Sequence, residues 1–378
     1  MLVKYKKLLK KNNTLYYIIA GEASGDLHGS HLIKSLQLIN SDLHFRGLGG
    51  PLMSGRGMVC LSDFNRLSVM GFVEIIKDIP FFLKLKKLLL QDIIKTKPTK
   101  IILIDYPGFN LRLAKKIKEI SSIPIIYYVS PQIWAWKENR IQILKRHVNS
   151  LVVLFPFEKE WFQKRNMRVQ YFGHPLIDLI QKKQLKIGPP QNTIGFFPGS
   201  RLQEIKRHLP IFIKLIKLLL TNNKNLKFII SLPRGTSALL FEKIKKLSGV
   251  VLSSENSFNI FNKINVAVVA SGTATLECAI SKTPFIVVYK TSFLSWLIAK
   301  MFLSIPFVSI VNILANKEIV KEHLQYNIKI KEMAHQINLL LKNPNIIKKN
   351  LLEITRSLGN GNAYQKTAKH ILKLDNNV

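Results

Sequence analysis

The chain has 378 residues, of which 47% are hydrophobic and 21% are charged. This composition excludes a largely disordered protein, and the length allows two domains with separate apolar cores. Lys and Arg outnumber Asp and Glu by 57 to 22, a net charge of +35. The excess suits an anionic partner such as nucleic acid, a membrane surface or a phosphorylated substrate, although a general bias toward Lys, Ile and Asn also explains it.

Several features of the sequence narrow the classes of partner, compartment and membrane attachment. We find no basic block with interleaved aromatic residues, which argues against nucleic acid as a partner. The two cysteines, Cys60 and Cys278, have neither disulfide-framework nor metal-ligand spacing, which indicates a reducing, cytoplasmic compartment. No stretch reaches the roughly 18 uninterrupted apolar residues of a transmembrane helix, so we expect a soluble or peripherally attached protein.

The first predicted element is the apolar strand Leu15–Ala20. A basic region precedes it, as in a signal peptide, but the run is short and a turn follows at once, so a buried strand is the better interpretation. The turn Gly21–Asp26 has the small polar residues of a ligand-binding turn. Helix capping by Ser24 or Asp26 is an alternative, whereas Glu22 is harder to explain by packing.

A strand–turn–helix pattern then repeats to about residue 175, which predicts one doubly wound domain. The further strands are predicted at His44–Gly50, Lys100–Asp105, Pro124–Val129, Leu151–Phe155 and Val169–Phe172. Asp105 therefore comes at the carboxyl end of a central strand, where open α/β sheets place their chemistry. A carboxylate at that place is a candidate general base.

The segment Leu67–Pro98 is densely apolar and has lysines among its apolar residues. Helical core packing explains part of this pattern. The same pattern suits docking of a helix on an anionic bilayer, with Phe81, Phe82 and Leu85 as the predicted membrane contacts.

The polar, Pro- and Gly-bearing segment 181–192 is the predicted interdomain linker. We therefore expect an N-terminal Rossmann-like domain over 1–180, a second Rossmann-like domain over 193–358, and a C-terminal helix over 359–378 that packs back on the first domain. The strands of the second domain are predicted at Thr193–Phe197, Leu226–Leu232, Val250–Leu252, Val266–Ala270 and Phe285–Tyr289.

Two turns of the second domain are candidate phosphate sites. Pro198–Arg201 joins a strand to an amphipathic helix and combines a flexible Gly199, a capping Ser200 and the planar cation Arg201. Ser271–Glu277 repeats the strand, small polar turn and helix. Each turn alone also fits an ordinary connection, and neither is a Walker A loop.

Eight motifs together resemble the lipid-A-disaccharide synthase family. In chain order they are AGEASGD (20–26), GLGG (47–50), VMGFVE (69–74), IDYPGFN (104–110), YYVSPQIWAW (127–136), FGHP (172–175), PGSR with EI (198–201, 204–205) and SGTATLE (271–277). The resemblance implies two Rossmann-like domains facing across a cleft. It also implies an inverting transfer from UDP-2,3-diacylglucosamine to 2,3-diacylglucosamine 1-phosphate (lipid X), which yields a β(1→6) disaccharide and UDP without metal or cofactor.

Carried over by position, the resemblance implies Asp105 as the base on the acceptor hydroxyl. The implied acceptor-side residues are Glu22, Ser24, Asp26 and Asn110. The implied UDP-binding residues are Gly199, Ser200, Arg201, Ser271, Gly272, Thr273, Thr275, Glu277, Asn312, Glu322 and Gln325. The chain departs from the family pattern at Val311, beside Asn312, and at Lys321, beside Glu322.

Acylated substrates imply work at the cytoplasmic face of the inner membrane. Oligomeric state stays open, a homodimer included. Rival functions are a nucleotide-sugar epimerase on the same fold, which would turn over UDP-GlcNAc without an acceptor, and a nucleic-acid module with steeply salt-dependent binding. A non-catalytic binding protein would keep the phosphate turns and tolerate loss of Asp105.

Overall fold

The computed structural model describes residues 14–62, 79–181, 192–233, 235–293, 296–297 and 306–374. The motif at 69–74, most of the predicted linker at 181–192 and much of the apolar segment at 290–306 lie outside these ranges. The chain divides into two compact units. Unit 1 runs to Asp178 and resumes at Gly361, and unit 2 is Leu179–Asn360.

Unit 1 is built on a parallel sheet with the order β3-β2-β1-β4-β5-β6-β7. The strands are β1 (Leu15–Ala20), β2 (His44–Leu48), β3 (Val59–Cys60), β4 (Lys100–Ile104), β5 (Ile125–Tyr128), β6 (Ser150–Val153) and β7 (Gln170–Tyr171). Every residue of β4 and β5 is buried, because helices cover both faces of a doubly wound sheet. The order, with its reversal between β1 and β4, is that of a Rossmann-type sheet.

Helices follow these strands in alternation. They are α1 (Ala23–Ile39), α2 (Pro51–Ser54), α3 (Ile79–Thr96), α4 (Pro107–Ile120), α5 (Ile141–His147), α6 (Pro156–Gln163) and α7 (Pro175–Gln181). On one face of the sheet, α3 and α4 bury Leu89 and Leu113 against strand residues such as Leu103. This apolar layer packs α4 against β4 and so holds the connection between them in place.

Unit 2 has a second parallel sheet with the order β10-β9-β8-β11-β12-β13. Its strands are β8 (Thr193–Phe197), β9 (Lys227–Ser231), β10 (Val250–Ser253), β11 (Val266–Ala270), β12 (Phe285–Tyr289) and β13 (Glu322–Leu324). The predicted apolar runs become fully buried strands at β8 and β11. The short β13 had no counterpart in the sequence prediction, since three residues are too few to show a period.

The helices of unit 2 are α8 (Leu202–Asn222), α9 (Glu242–Lys245), α10 (Ser257–Phe261), α11 (Thr273–Ile280), α12 (Ile310–Ala315), α13 (Ile330–Lys342) and α14 (Asn345–Ser357). The long α8 buries one stripe, including Ile205, Phe212 and Leu219, against β8 and its neighbours. That packing fixes the amino terminus of α8 at the carboxyl end of β8.

The last helix, α15 (Ala363–Lys373), belongs to unit 1 and packs against α1. The Asp178 carboxylate accepts hydrogen bonds from the N–H groups of Ala363 and Tyr364, 3.2 and 3.1 Å long, and so caps its amino end. The Tyr364 ring stacks on His31 with 5.0 Å between centroids. Unit 1 therefore contains both the first and the last helix of the described chain, and the two helices pack together.

Candidate active site

The switch point of the unit 1 sheet lies between β1 and β4, whose last residues, Ala20 and Ile104, are register partners. Glu22 follows the first strand by two residues and Asp105 follows the second directly. Because parallel strands end at one edge of the sheet, the two carboxyl groups lie close enough for the charge of Glu22 to act on Asp105. Doubly wound folds bind ligands at this place.

The backbone at Asp105 is unusual. Asp105 and Tyr106 have φ angles of 47° and 50°, a left-handed region that non-glycine residues seldom occupy. Hydrogen bonds hold this conformation, because the Asp105 carbonyl accepts from the Tyr127 hydroxyl at 2.6 Å and from the Asn110 amide at 2.8 Å. Strained backbone of this kind concentrates at functional sites.

The environment of Asp105 favours the neutral acid. Burial raises the pKa of its carboxyl to about 7, and the Glu22 carboxylate adds to the rise, while the Tyr106 N–H opposes it. A carboxylate with a pKa near neutrality is poised to accept a proton from a substrate hydroxyl. Glu22 is half-buried and Ser24 is exposed on the same turn, so both side chains are accessible from this edge.

Gly21 is required by the ring of Tyr106. A Cβ atom at Gly21 would lie 2.4 Å from Cδ1 of Tyr106, well inside contact distance. The Tyr106 ring packs on the bare backbone of Gly21 and lies tilted against the Phe109 ring, with 6.0 Å between centroids. The glycine of the AGEASGD motif thus serves close packing, which sequence alone did not reveal.

Two predicted acceptor-side residues have internal roles, which corrects the expectation that their side chains face a substrate. Asp26 is 3% exposed, and its carboxylate accepts from the N–H groups of Gly50, Leu52 and Met53. Asn110 is fully buried, and its amide donates to the carbonyls at the end of β4. Both residues position the loops that carry accessible groups.

The switch point of unit 2 lies between β8 and β11, where Phe197 is the register partner of Val269. The Arg201 turn (Pro198–Arg201) follows β8, and the Thr273 turn (Ser271–Thr273) follows β11. The structure therefore brings both predicted phosphate turns to one edge of the sheet, on adjacent strands. Each turn leads into a helix whose first N–H groups attract an anion.

The Arg201 turn presents its cation to solvent. The Arg201 side chain is 72% exposed, and Nη1 lies 3.3 Å from Oε1 of Glu204. The same carboxylate accepts the Arg201 N–H at 3.3 Å. Gly199 has φ 101°, and a Cβ atom there would lie 2.6 Å from Glu204 Oε2. Glu204 therefore shapes the turn, while the guanidinium keeps donors available for a ligand.

The Thr273 turn exposes backbone and one hydroxyl. Gly272 and Thr273 are exposed, and Gly272 has φ 153°. Thr275 is buried, and its hydroxyl donates to the Gly272 carbonyl at 2.7 Å, which corrects its expected contact with UDP. Ser271 is half-buried and donates to the Val308 carbonyl at 3.1 Å.

Glu277 lies further along α11. Burial raises the pKa of its carboxyl, and a hydrogen bond with Ser257 opposes the rise.

The remaining predicted UDP residues form an internal network, a second correction. The Glu322 carboxylate accepts from the N–H groups of Val308 and Ser309 at 2.9 Å each and from Asn312 at 2.8 Å. The Gln325 amide exchanges two hydrogen bonds with the backbone of Thr291. These side chains hold the β12 and β13 loops in place, because their polar atoms are engaged in the fold.

His208 is a site residue that the sequence reasoning missed. It is fully buried on α8. Its Nε2 accepts the Lys290 N–H at 3.0 Å, so Nδ1 carries the proton and donates to the Pro198 carbonyl at 2.8 Å. Burial lowers its pKa, which keeps the ring neutral. The signal was a polar residue at an apolar position of the α8 stripe, beside Ile205 and Leu209.

Of the three predicted membrane contacts on α3, Leu85 requires a correction, whereas Phe81 and Phe82 are half-buried and stay predictions. Leu85 is 3% exposed and belongs to the core, and Phe81 and Phe82 pack partly against it. The apolar side chains that α3 turns outward are Ile79, Leu83, Leu88 and Ile94, and its exposed lysines are Lys84, Lys87 and Lys95. The inward face of the helix consists of Leu85, Leu89 and Ile93, which are spaced by four residues and so lie on one side.

Across the described ranges, no three His, Cys, Asp or Glu side chains are grouped so as to hold a metal ion. None of the helices in those ranges is both long and apolar enough to span a bilayer.

The described chain thus has two parallel α/β sheets, one with a carboxylate directly after a strand and one with two candidate phosphate turns on adjacent strands. Solved structures share the fold. A putative UDP-N-acetylglucosamine 2-epimerase from Listeria monocytogenes is 10% identical with a TM-score of 0.66, covering 96% of this chain and 95% of its own. MurG from Acinetobacter baumannii is 13% identical with a TM-score of 0.59, covering 96% and 99%.

Sequence comparison gives the family. A family model described as lipid-A-disaccharide synthetase matches residues 16–374. Lipid-A-disaccharide synthase 1 of Legionella pneumophila (strain Philadelphia 1) is 36% identical over 358 residues, 91% of this chain and 92% of the relative. The Coxiella burnetii synthase (strain RSA 331) is 35% identical over 377 residues, 96% and 99%. The chain belongs to the lipid-A-disaccharide synthase family.

Proposed function

We propose that the protein transfers 2,3-diacylglucosamine from UDP-2,3-diacylglucosamine to the 6-hydroxyl of lipid X, forming the β(1→6) disaccharide 1-phosphate and UDP. Family membership supports the reaction class. The observation that carries the mechanism is the Asp105 carboxyl at the β4 end, whose pKa is raised to about 7 chiefly by burial. Half of such carboxyls are ionised near neutral pH and able to accept the hydroxyl proton.

The proposed step is a single inverting displacement. The acceptor oxygen bonds to the anomeric carbon as the bond from that carbon to the UDP oxygen breaks. The acceptor proton passes to Asp105, and the bonding electrons leave with UDP. Arg201 and the N–H groups of the two phosphate turns stabilise the departing diphosphate, in a mechanism that needs no metal.

Glu22 and Ser24 are proposed to contact a sugar beside Asp105, and Ser200, Gly272 and Thr273 to contact UDP. This assignment is supported by their exposure or half-burial at the two switch points. Glu277 lies one turn into α11, where a half-buried carboxylate can accept from ribose hydroxyls.

We further propose that the protein acts in the cytoplasm, on the inner face of the cytoplasmic membrane, with α3 as a docking element. Exposed Leu83 and Leu88 are 55% and 43% accessible, and exposed lysines lie among them. Apolar insertion and attraction to anionic headgroups then act together. Exchange of Leu83 and Leu88 for Gln should reduce sedimentation with anionic vesicles, whereas Ile120→Gln, a similarly exposed residue on α4, should not; equal losses would reject α3 as the docking element.

The function is tested by UDP release from UDP-2,3-diacylglucosamine, with and without lipid X. Release that depends on lipid X, with a β-linked disaccharide as product, is expected. Asp105→Asn should abolish turnover while UDP still binds, because the phosphate turns belong to unit 2. Turnover of UDP-GlcNAc without an acceptor would indicate an epimerase and contradict the proposal.

A further inference from the structure

The segment that follows β5 gathers cations around one indole ring. Trp136 is half-buried, the Lys137 ammonium lies 4.3 Å from its ring centroid, and the Arg140 guanidinium carbon lies 5.8 Å from the same centroid. A ring that two cations share holds both charges at one place on the surface of unit 1. We name Trp136, Lys137 and Arg140 the indole–cation cluster.

This cluster has an excess of positive charge. Burial lowers the pKa of the half-buried Arg140, the Tyr127 hydroxyl opposes this, and neighbouring Arg112 lowers the pKa further. A guanidinium is not deprotonated in proteins near neutral pH, so Arg140 keeps its charge. In the described part of the chain, the guanidinium groups of Arg140 and Arg112 have no carboxylate or carbonyl partner. The nearby carboxylate of Glu138 is paired with Arg165 at 2.5 Å.

Half-buried arginines normally satisfy their five N–H donors, and two guanidinium groups repel each other without an anion between them. The cluster therefore has the donors and the charge for an anionic ligand. A phosphate monoester fits best, because it carries nearly two charges at neutral pH and its oxygens match the fork of a guanidinium.

The cluster also lies beside the proposed base. The Tyr127 hydroxyl that neighbours Arg140 donates to the Asp105 carbonyl at 2.6 Å. The segment is held in place, because the Trp134 indole N–H donates to buried Glu158 at 3.0 Å and Glu158 accepts two N–H groups at the start of α6. Lys137 has φ 58°, the backbone strain found at ligand sites.

We propose that Lys137 and Arg140, with Trp136 as their platform and the exposed Arg112 as a further nearby charge, bind the 1-phosphate of the acceptor sugar. This inference rests on the proposed function, since it names the group by which that reaction recognises its acceptor. UDP is assigned to the turns of unit 2, which leaves the acceptor phosphate as the anion for this edge of unit 1. Bound there, it orients the acceptor so that its hydroxyl reaches Asp105.

The test compares short-chain lipid X with the same acceptor lacking the 1-phosphate, in detergent solution. For Arg140→Gln, KM for the phosphorylated acceptor should rise about 10- to 100-fold with a small change in kcat, the loss expected for a charge-assisted hydrogen bond. With the acceptor that lacks phosphate, Arg140→Gln and the unmodified protein should have equal KM values. Lys145→Gln, which removes an exposed charge from α5, serves as the matched control.

Each result separates the alternatives. An unchanged KM in an active Arg140→Gln variant overturns this inference and leaves the proposed function standing. No UDP release by the unmodified protein overturns the proposed function, and this inference with it. A variant with normal KM that sediments poorly with anionic vesicles would show that the cluster binds phospholipid headgroups, which also overturns it. Lys137→Gln gives an independent measurement if Arg140→Gln fails to fold, with a smaller rise in KM expected.

Discussion

The raised pKa of Asp105 predicts a definite pH profile for UDP release. With a pKa of about 7, the ionised fraction of this carboxyl is about a tenth at pH 6 and about a hundredth at pH 5. The rate constant kcat/KM should therefore fall about tenfold per pH unit below neutrality and level off above it. An aspartic acid in water, with its ordinary pKa of 3.8, would leave the rate flat over that range.

Substitution of Glu22 tests the cause of the raised pKa of Asp105. Its carboxylate is the second contribution to the shift, after burial, so Glu22→Gln should move the acid limb to lower pH. The position of the limb is the readout, because the substitution can also change KM. Glu119→Gln removes an exposed carboxylate from the far end of α4 and should leave the limb in place.

The assay is kcat/KM for lipid X from pH 5 to 9, with UDP release followed continuously and enzyme stability checked at each pH. A flat profile in the unmodified protein would refute Asp105 as a base with a raised pKa. A limb near pH 7 that Glu22→Gln leaves unmoved would refute the electrostatic role of Glu22 and leave burial as the whole cause.

Three further outcomes follow from the contacts. The Asp105 carboxyl, whose pKa is raised from 3.8 to about 7, costs stability as pH rises through that interval, so Asp105→Asn should increase the free energy of unfolding at pH 8 more than at pH 4, with a difference of at most about 4 kcal/mol; an equal change at both pH values would contradict this. Gly21→Ala should destabilise by about 1–3 kcal/mol and displace Tyr106, whereas Gly108→Ala, with open space around it, should cost little in chemical denaturation. His208→Ala should lower the unfolding temperature and raise KM for the UDP-sugar, because the Pro198 carbonyl and Lys290 N–H lose their partner; an unchanged KM would limit His208 to stability.

Much of the architecture could be predicted from the order of residues. Continuous apolar runs such as Leu15–Ala20 and Val266–Ala270 became buried parallel strands at the predicted bounds, because a strand covered on both faces needs no polar alternation. The doubly wound fold was confirmed, and the eight ordered motifs indicated the family that sequence comparison confirms. Asp105 was predicted at a strand end, and the structure places it directly after β4.

The role of a polar side chain near a site, in contacting a ligand or in holding a loop, depends on contacts between residues that are distant in the sequence. Asp26 and Asn110 share motifs with accessible groups, yet their hydrogen bonds reach backbone up to 27 residues away and hold loops in place. A motif shows that a polar residue is needed and cannot show whether it faces ligand or fold.

The inward face of α3 was misjudged for the same reason. The sequence of α3 showed many apolar residues among lysines, and it did not show which of them, Leu85 or the exposed Leu83 and Leu88, would be buried. Which residues of α3 are buried depended on the core of unit 1, where Leu103 of β4 and its neighbours pack against one face of the helix. The sequence determined most of the strands along the chain and the groups able to do chemistry. The tertiary structure decided which of those groups remain accessible, because burial and hydrogen-bond partners depend on residues that meet only after folding.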